Sequence, residues 1–276
     1  MIVDAHTHVE RKEDGTLYSP AEFVAGMDRG GIDVSIIFGN DQSEMGKILG
    51  TEFTDSETAA FCAAAPHRLV GITSVHPDTP DPAGKIRRAV EDFGLKAVKL
   101  YPHSGFYAND PRLFPVYEYC SASGIPVVLH TGIKAVRKQF MKYNHPLYAD
   151  DVATLFPELK LVLCHGGYPW QEEFMAVAGS NPNVYADISF LDYIESKFAL
   201  PGLAENTIRR LAAIIGTGRL LWGSEGPFMN LPLYGSHDPD HYQNCMDFLV
   251  NRFDFFNSLE KQQILGGNAA RLFKLA

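Results

Sequence analysis

The 276-residue chain is 46% apolar and 21% charged, ordinary values for a globular protein with a sizeable core, and its length suits one (β/α)8 domain spanning residues 1–276. A net charge of -9 argues against a nucleic-acid partner, which calls for a basic face, but leaves room for an anionic small molecule in a local pocket. Cys62, Cys120, Cys164 and Cys245 are widely spaced with no C-x-x-C pair, which argues against a disulfide framework or a cysteine zinc cluster.

In chain order, the expected strands begin with MIVDAHTHV from Met1, DVSIIFG from Asp33 and LVGITSVHP from Leu69. LKAVKLYP from Leu95, IPVVLHTG from Ile125 and LKLVLCHGG from Leu159 follow, and NVYADIS from Asn183 and RLLWGSEGP from Arg219 complete the set. Most are nearly continuous runs of Val, Ile and Leu, as parallel strands covered by helices require. Helix-like segments separate them: PAEFVAGMDRGG, with Ser19 as N-cap ahead of Pro20, then DPRLFPVYEYCSASG and LYADDVATLFP. The strand–helix alternation predicts a TIM barrel in the α/β class, with a doubly wound open sheet as the weaker alternative. Phe228 to His241 reads as a long loop after the eighth strand, and LGGNAARLFKL as a closing helix with Asn268 at its N-cap. The N-terminus lacks a basic region followed by an apolar stretch, and no apolar run is long enough to span a bilayer. No membrane association and a cytoplasmic location are expected. Oligomeric state is not legible, and a homo-oligomer is compatible with the sequence.

Chemistry on this fold sits at the C-terminal ends of the strands. The first strand ends with His6 and His8, two residues apart and so on one face of a strand. The fifth ends at His130, the sixth at His165 and the eighth at Glu225, and Lys99 shares a face of the fourth with Ala97 and Tyr101. Each signal alone has a bland reading, since H-x-H arises by chance and buried histidines usually serve as hydrogen-bonded core residues. Together they converge on one barrel mouth, where four polar groups are costly to bury without a common partner. One divalent ion satisfies them, and imidazole plus carboxylate donors suit Zn2+, with Mn2+ or Fe2+ as alternatives. Asp4 is placed to orient a ligand histidine. Tyr101, His103 and Asp187 lie near strand ends and line the expected pocket. His67, His76, His145, His237 and His241 read as mostly solvated.

The motifs DAHTH, VVLHTG, LVLCHGG, LLWGSEGP and GGNAARLF, in this order along nearly the whole chain, resemble the amidohydrolase superfamily. Within it they resemble the amidohydrolase-related branch that includes aminocarboxymuconate-semialdehyde decarboxylase. The resemblance implies that His6, His8 and His130 bind the metal and that His165 acts beside it as a base or substrate contact. The family's usual strand-eight residue is aspartate in GSD, whereas this chain has Glu225 in GSE, so the resemblance leaves open whether Glu225 binds metal, serves as base or does both. In some superfamily members a strand-four lysine is carboxylated and bridges two metals; in this branch it contacts substrate. A lysine at the barrel rim is the plain structural alternative for Lys99.

Three functions follow as expectations. The first is hydrolysis of a small polar, carboxylate-bearing substrate, with metal-activated water as nucleophile, Glu225 or His165 as proton acceptor, and Lys99, Tyr101 and His103 contacting substrate. The second is non-oxidative decarboxylation of an unsaturated or aromatic acid on the same site. The third is a barrel that binds a ligand without turnover.

Overall fold

The computed structural model describes residues 1–12, 14–39, 51–134, 138–227 and 240–275. Most of the loop expected after the eighth strand, and His237 with it, lies outside the described residues.

Eight strands form one parallel sheet in sequential order: β1 Val3–His8, β2 Val34–Phe38, β3 Leu69–Ser74, β4 Val98–Leu100, β5 Val127–Leu129, β6 Leu161–Leu163, β7 Val184–Asp187 and β8 Leu220–Leu221. The seam between the last strand and the first is sewn by Ala5 N–H to Trp222 O at 3.0 Å and Glu225 N–H to His6 O at 2.8 Å, with Thr7 and Glu225 bridged in parallel. The expected barrel is thus observed, and the open sheet is set aside.

Local chemistry explains the covering helices. Ser19 and Glu22 form a reciprocal capping box at the start of helix Pro20–Gly30, and Gly31 ends it in the left-handed conformation at φ 68°. Helix Phe114–Ser123 ends the same way at Gly124, and helix Leu147–Leu155 falls within the expected segment. Asn268 is not the N-cap. It opens helix Asn268–Leu272, and its amide donates to Thr217 O and Leu220 O, both at 2.7 Å. A side chain that can donate to two backbone carbonyls at the foot of β8 does more there than it would by capping.

Apolar residues fall into two layers. One lies between strands and helices, with Val98, Leu100, Val127, Leu129, Leu161 and Leu163 facing outward. The other fills the barrel, with Val3, Ala5, Ile36, Phe38, Ala97, Val128, Val162 and Cys164, and Leu272 and Phe273 of the closing helix join it. Because Ala97 and Val128 point inward, alternation turns Lys99 and His130 inward as well.

β1 needs a further device. Ala5 packs with the interior group, so strict alternation would turn His6 away from it. The register slips by one between Asp4, which pairs with Ser35, and Thr7, which pairs with Ile37. This bulge lets the His6 ring stack at 4.3 Å from interior Phe38 while His8 meets the same ring at 5.2 Å.

Candidate metal centre and active site

His6, His8 and Glu225 each offer a ligand atom within 4.8 Å of the others, and all three are buried. Glu225 Oε1 lies 3.2 Å from His6 Nε2, and Oε2 lies 3.8 Å from His8 Nε2. Hydrogen bonding fixes the tautomer of His6: its Nδ1 is 2.6 Å from the Asp187 carboxylate, which only accepts, so Nδ1 carries the proton and Nε2 presents a lone pair. His130 follows the same logic. Its Nε2 is 2.8 Å from Ile133 O, so Nε2–H donates to that carbonyl. Burial pushes the His130 pKa down to about 3, so the ring is neutral and Nδ1 is bare. Burial likewise holds His6 and His165 well below the usual histidine range.

The bare His130 Nδ1 faces His165 Nε2 at 3.3 Å. His165 therefore donates from Nε2, and its own Nδ1 accepts. Ser189 Oγ lies 3.1 Å from that Nδ1 and 3.2 Å from Glu225 Oε1, so one hydroxyl proton serves two acceptors. Glu225 is raised to about 8, first by burial and then by Asp187, which keeps it protonated near neutrality and leaves the hydroxyl proton to His165.

The backbone that delivers these groups is unusual. His165 and Glu225 have φ of 62° and 75°, a region that β-carbons disfavour. Cys164 already points inward, so the left-handed turn at the next residue brings His165 into the mouth too. Gly223 is required by close approach, since a β-carbon there would stand 2.5 Å from His6 Cβ. The missing side chain of Gly226 faces the Glu10 carboxylate. Asp4 acts on backbones and not on an imidazole. Its Oδ1 accepts from His6 N and Ser224 N at 3.1 and 3.0 Å, and Oδ2 from Ser224 Oγ at 2.5 Å, clasping the two strand ends that carry His6 and Glu225.

Opposite this cluster lie Lys99, Tyr101 and His103. The Lys99 ammonium is 1% exposed, donates to Cys164 Sγ at 3.0 Å and sits 4.7 and 5.5 Å from the Phe38 and Tyr101 ring centres. No carboxylate lies within ion-pairing distance of it among the described residues. His103 packs edge-on against His130 at 4.5 Å, with Asn144 beside it and neither ring nitrogen in hydrogen-bonding geometry. Burial lowers the His103 pKa and raises that of Tyr101, so both are neutral.

The donor set fits a divalent cation: bare imidazole nitrogens of His6 and His130, His8, and a buried carboxylate, with the Asp187 carboxylate hydrogen-bonded behind His6. His130 stands across His165 from the tightest group of three. Sequence reasoning passed over Ser189 and Cys164 and gave Asp187 only a lining role; position i+2 from an inward strand residue is the signal that finds Asp187 and Ser189 together, following Tyr185. His241 is a correction. It is buried, with Nε2 2.7 Å from Ser224 O, because helix His241–Arg252 packs back against the end of β8. His76 stays partly exposed beside Asp78, and His67 is exposed.

The amidohydrolase family profile matches residues 3–275, and the chain belongs to that family, an enzyme family that is generally metal-dependent. A curated relative, 2-amino-3-carboxymuconate-6-semialdehyde decarboxylase of Dictyostelium discoideum, is 21% identical over 96% of this chain and 79% of its own length. Among solved structures, an uncharacterised TIM-barrel protein of Bordetella bronchiseptica superposes with TM-score 0.75 at 23% identity, covering 99% of this chain and 98% of that one. A probable 2-pyrone-4,6-dicarboxylic acid hydrolase of Acinetobacter baumannii, with citric acid bound, superposes at 0.71 with 17% identity and 99% coverage of both chains. These likenesses in structure support the fold. No helix among the described residues is long and apolar enough to cross a membrane.

Proposed function

We propose that this chain is a metal-dependent hydrolase of a small, carboxylate-bearing substrate. The observation that carries the reading is the position of Glu225, whose carboxylate reaches His6, His8 and, at 3.5 Å, His165 Nδ1. A single group thus touches the proposed metal ligands His6 and His8 and the proposed acid–base residue His165, on whose far side stands His130, the third proposed ligand. A divalent ion, Zn2+ by donor chemistry, supplies Lewis acidity when bound, lowering the pKa of a water, polarising a carbonyl and drawing Glu225 to its ionised form. Glu225 then accepts the proton of the attacking water. The proton taken up by Glu225 passes through the Ser189 hydroxyl to His165 Nδ1 as His165 gives its Nε2 proton to the leaving group, so both side chains end as they began. The unpaired Lys99 ammonium supports an anionic substrate, because a buried cation without a counter-charge is costly and a substrate carboxylate meets that need. Tyr101 and His103 line the same side and offer a phenol and an uncommitted imidazole for orientation.

Non-oxidative decarboxylation is the second reading, favoured by the raised pKa of buried Glu225, which suits delivery of a proton to carbon, and by the likeness to a decarboxylase over 96% of this chain. The two readings separate by product. Metal-loaded protein is screened against lactones, amides and unsaturated or aromatic acids in isotopically labelled water. Hydrolysis places one labelled oxygen in the product, whereas decarboxylation releases carbon dioxide and, in deuterium oxide, leaves one deuteron on carbon. A metal-loaded, folded protein that turns over none of these classes would count against both and for a ligand-binding barrel.

A further inference from the structure

A second group of ligand atoms shares His6 with the first. His6, Cys164 and His165 also lie within 4.8 Å of one another, and all are buried. We propose that Cys164 gives this centre a sulfur-containing coordination position, so that thiophilic ions bind through the Cys164 thiolate with His6 and His165, while harder ions take His6, His8 and Glu225. The two groups share His6, so they are alternative seats for one ion.

Three observations support this. First, Cys164 ends the sixth strand on the inward-facing side, with Ala97, Val128 and Val162, whereas Cys62, Cys120 and Cys245 pack in the outer layer. Second, the left-handed turn at His165 brings two successive residues, Cys164 and His165, to the same point; an ordinary strand would send the second outward. Third, the Lys99 ammonium donates to Sγ at 3.0 Å. A structural thiol in an apolar interior needs no cation beside it, while a metal-held thiolate gains from one, since an N–H donor satisfies a remaining sulfur lone pair. A mixed S/N set selects zinc or cadmium over manganese or magnesium, and a coordinating thiol gives up its proton on binding.

The proposal rests on the reading of this cluster as a metal centre, and the experiment separates the two. Metal-free protein is titrated with Cd2+ and with Mn2+, and the Zn2+ form is measured by X-ray absorption. One thiolate-to-metal charge-transfer band is expected at about one equivalent of Cd2+, and one sulfur neighbour of zinc at about 2.3 Å. Cys164→Ala should lose the band, keep its Mn2+ content and retain its far-ultraviolet circular dichroism. Zinc bound at one per chain with nitrogen and oxygen neighbours alone, or a cadmium band that persists in Cys164→Ala, overturns the thiolate position while the metal-centre reading stands. Retention of neither ion removes both. The absorption measurement uses the unaltered chain, so it decides the matter even if the variant fails to fold.

Discussion

The two sides of the barrel mouth are built on opposite principles. Along β7, β8 and β1, three carboxylates (Asp4, Asp187 and Glu225) stand behind or beside two imidazoles, and nearly every donor finds an acceptor. Along β4 and the turn that follows it, Lys99, Tyr101 and His103 bring a positive charge and aromatic faces, and neither ring nitrogen of His103 is in hydrogen-bonding geometry. On the proposed reading the first side is a socket for a cation and the second a socket for an anion. A metal and a substrate carboxylate brought to the two sides would lie next to each other, which is the arrangement a polarised, anchored substrate needs.

That contrast can be broken from either side. Removing both β1 ligands, His6→Ala with His8→Ala, should abolish metal retention by elemental analysis and turnover with it; full metal content in the folded double variant would move the cation elsewhere. Glu225→Gln should lower turnover on the order of 10²–10⁴-fold, as loss of a proton acceptor does, while Glu225→Asp keeps part of it. Near-normal rates for the glutamine variant on a confirmed substrate would shift the proton to His165. His165→Asn should cost on the order of 10²-fold in turnover of the Mn2+-loaded enzyme with metal content kept; loss of Mn2+ with an unchanged rate per metal would make His165 a ligand of hard ions as well. On the opposite side, Lys99→Met should raise KM for anionic substrates about tenfold or more, the scale of a lost charge-assisted hydrogen bond, without emptying the metal site. An unchanged KM would leave Lys99 a structural role.

The smallest effect is on pH dependence, and its sign separates the socket with metal from the socket without. Glu225 rises from 4.5 to about 8 in the folded chain, and Asp4 to about 7. Between those values the unfolded chain has lost protons that the folded one keeps, so the stability they confer is full below pH 4.5 and is lost as pH rises towards 8. Metal-free protein should therefore melt at lower temperature as pH rises across that window. Metal affinity should increase over the same window, because binding must expel the Glu225 proton. Thermal melts with and without Mn2+ at stepped pH read both; a metal-free midpoint that climbs with pH would mean Glu225 is ionised in the empty site.

The sequence was most legible where one residue's meaning depends on its neighbours along a strand. The eight strands and the inward faces of Lys99 and His130 follow from periodicity, and the strand ends point to His6, His8, His165 and Glu225 as the residues to examine. What escaped were effects set across the barrel or by backbone breaks. Asn268 resembles a cap in sequence but finds better partners at the foot of β8. His241 resembles a loop residue but is buried by the return of its helix. Asp4 resembles an imidazole clamp, whereas its acceptors serve the backbone amides of His6 and Ser224, at opposite ends of the barrel's strand order. Cys164 escaped because cysteine metal sites are read by spacing between cysteines, and here its companions are its own neighbour His165 and, on another strand, His6. The register slip in β1 and the left-handed turns at His165 and Glu225 leave no mark in composition.

The Asp4 clasp has a kinetic side. It joins the first strand to the last, and a cation held by His6, His8 and Glu225 would join the same two points. Closing so large a loop carries a high entropic cost in the folding chain and yields no return until both ends are present. A ligand that binds only the joined ends acts as a staple on that closure: it leaves the nucleation of inner strands untouched and slows the reopening of the seam. In this barrel, joining the first strand to the last also brings His6 to Glu225.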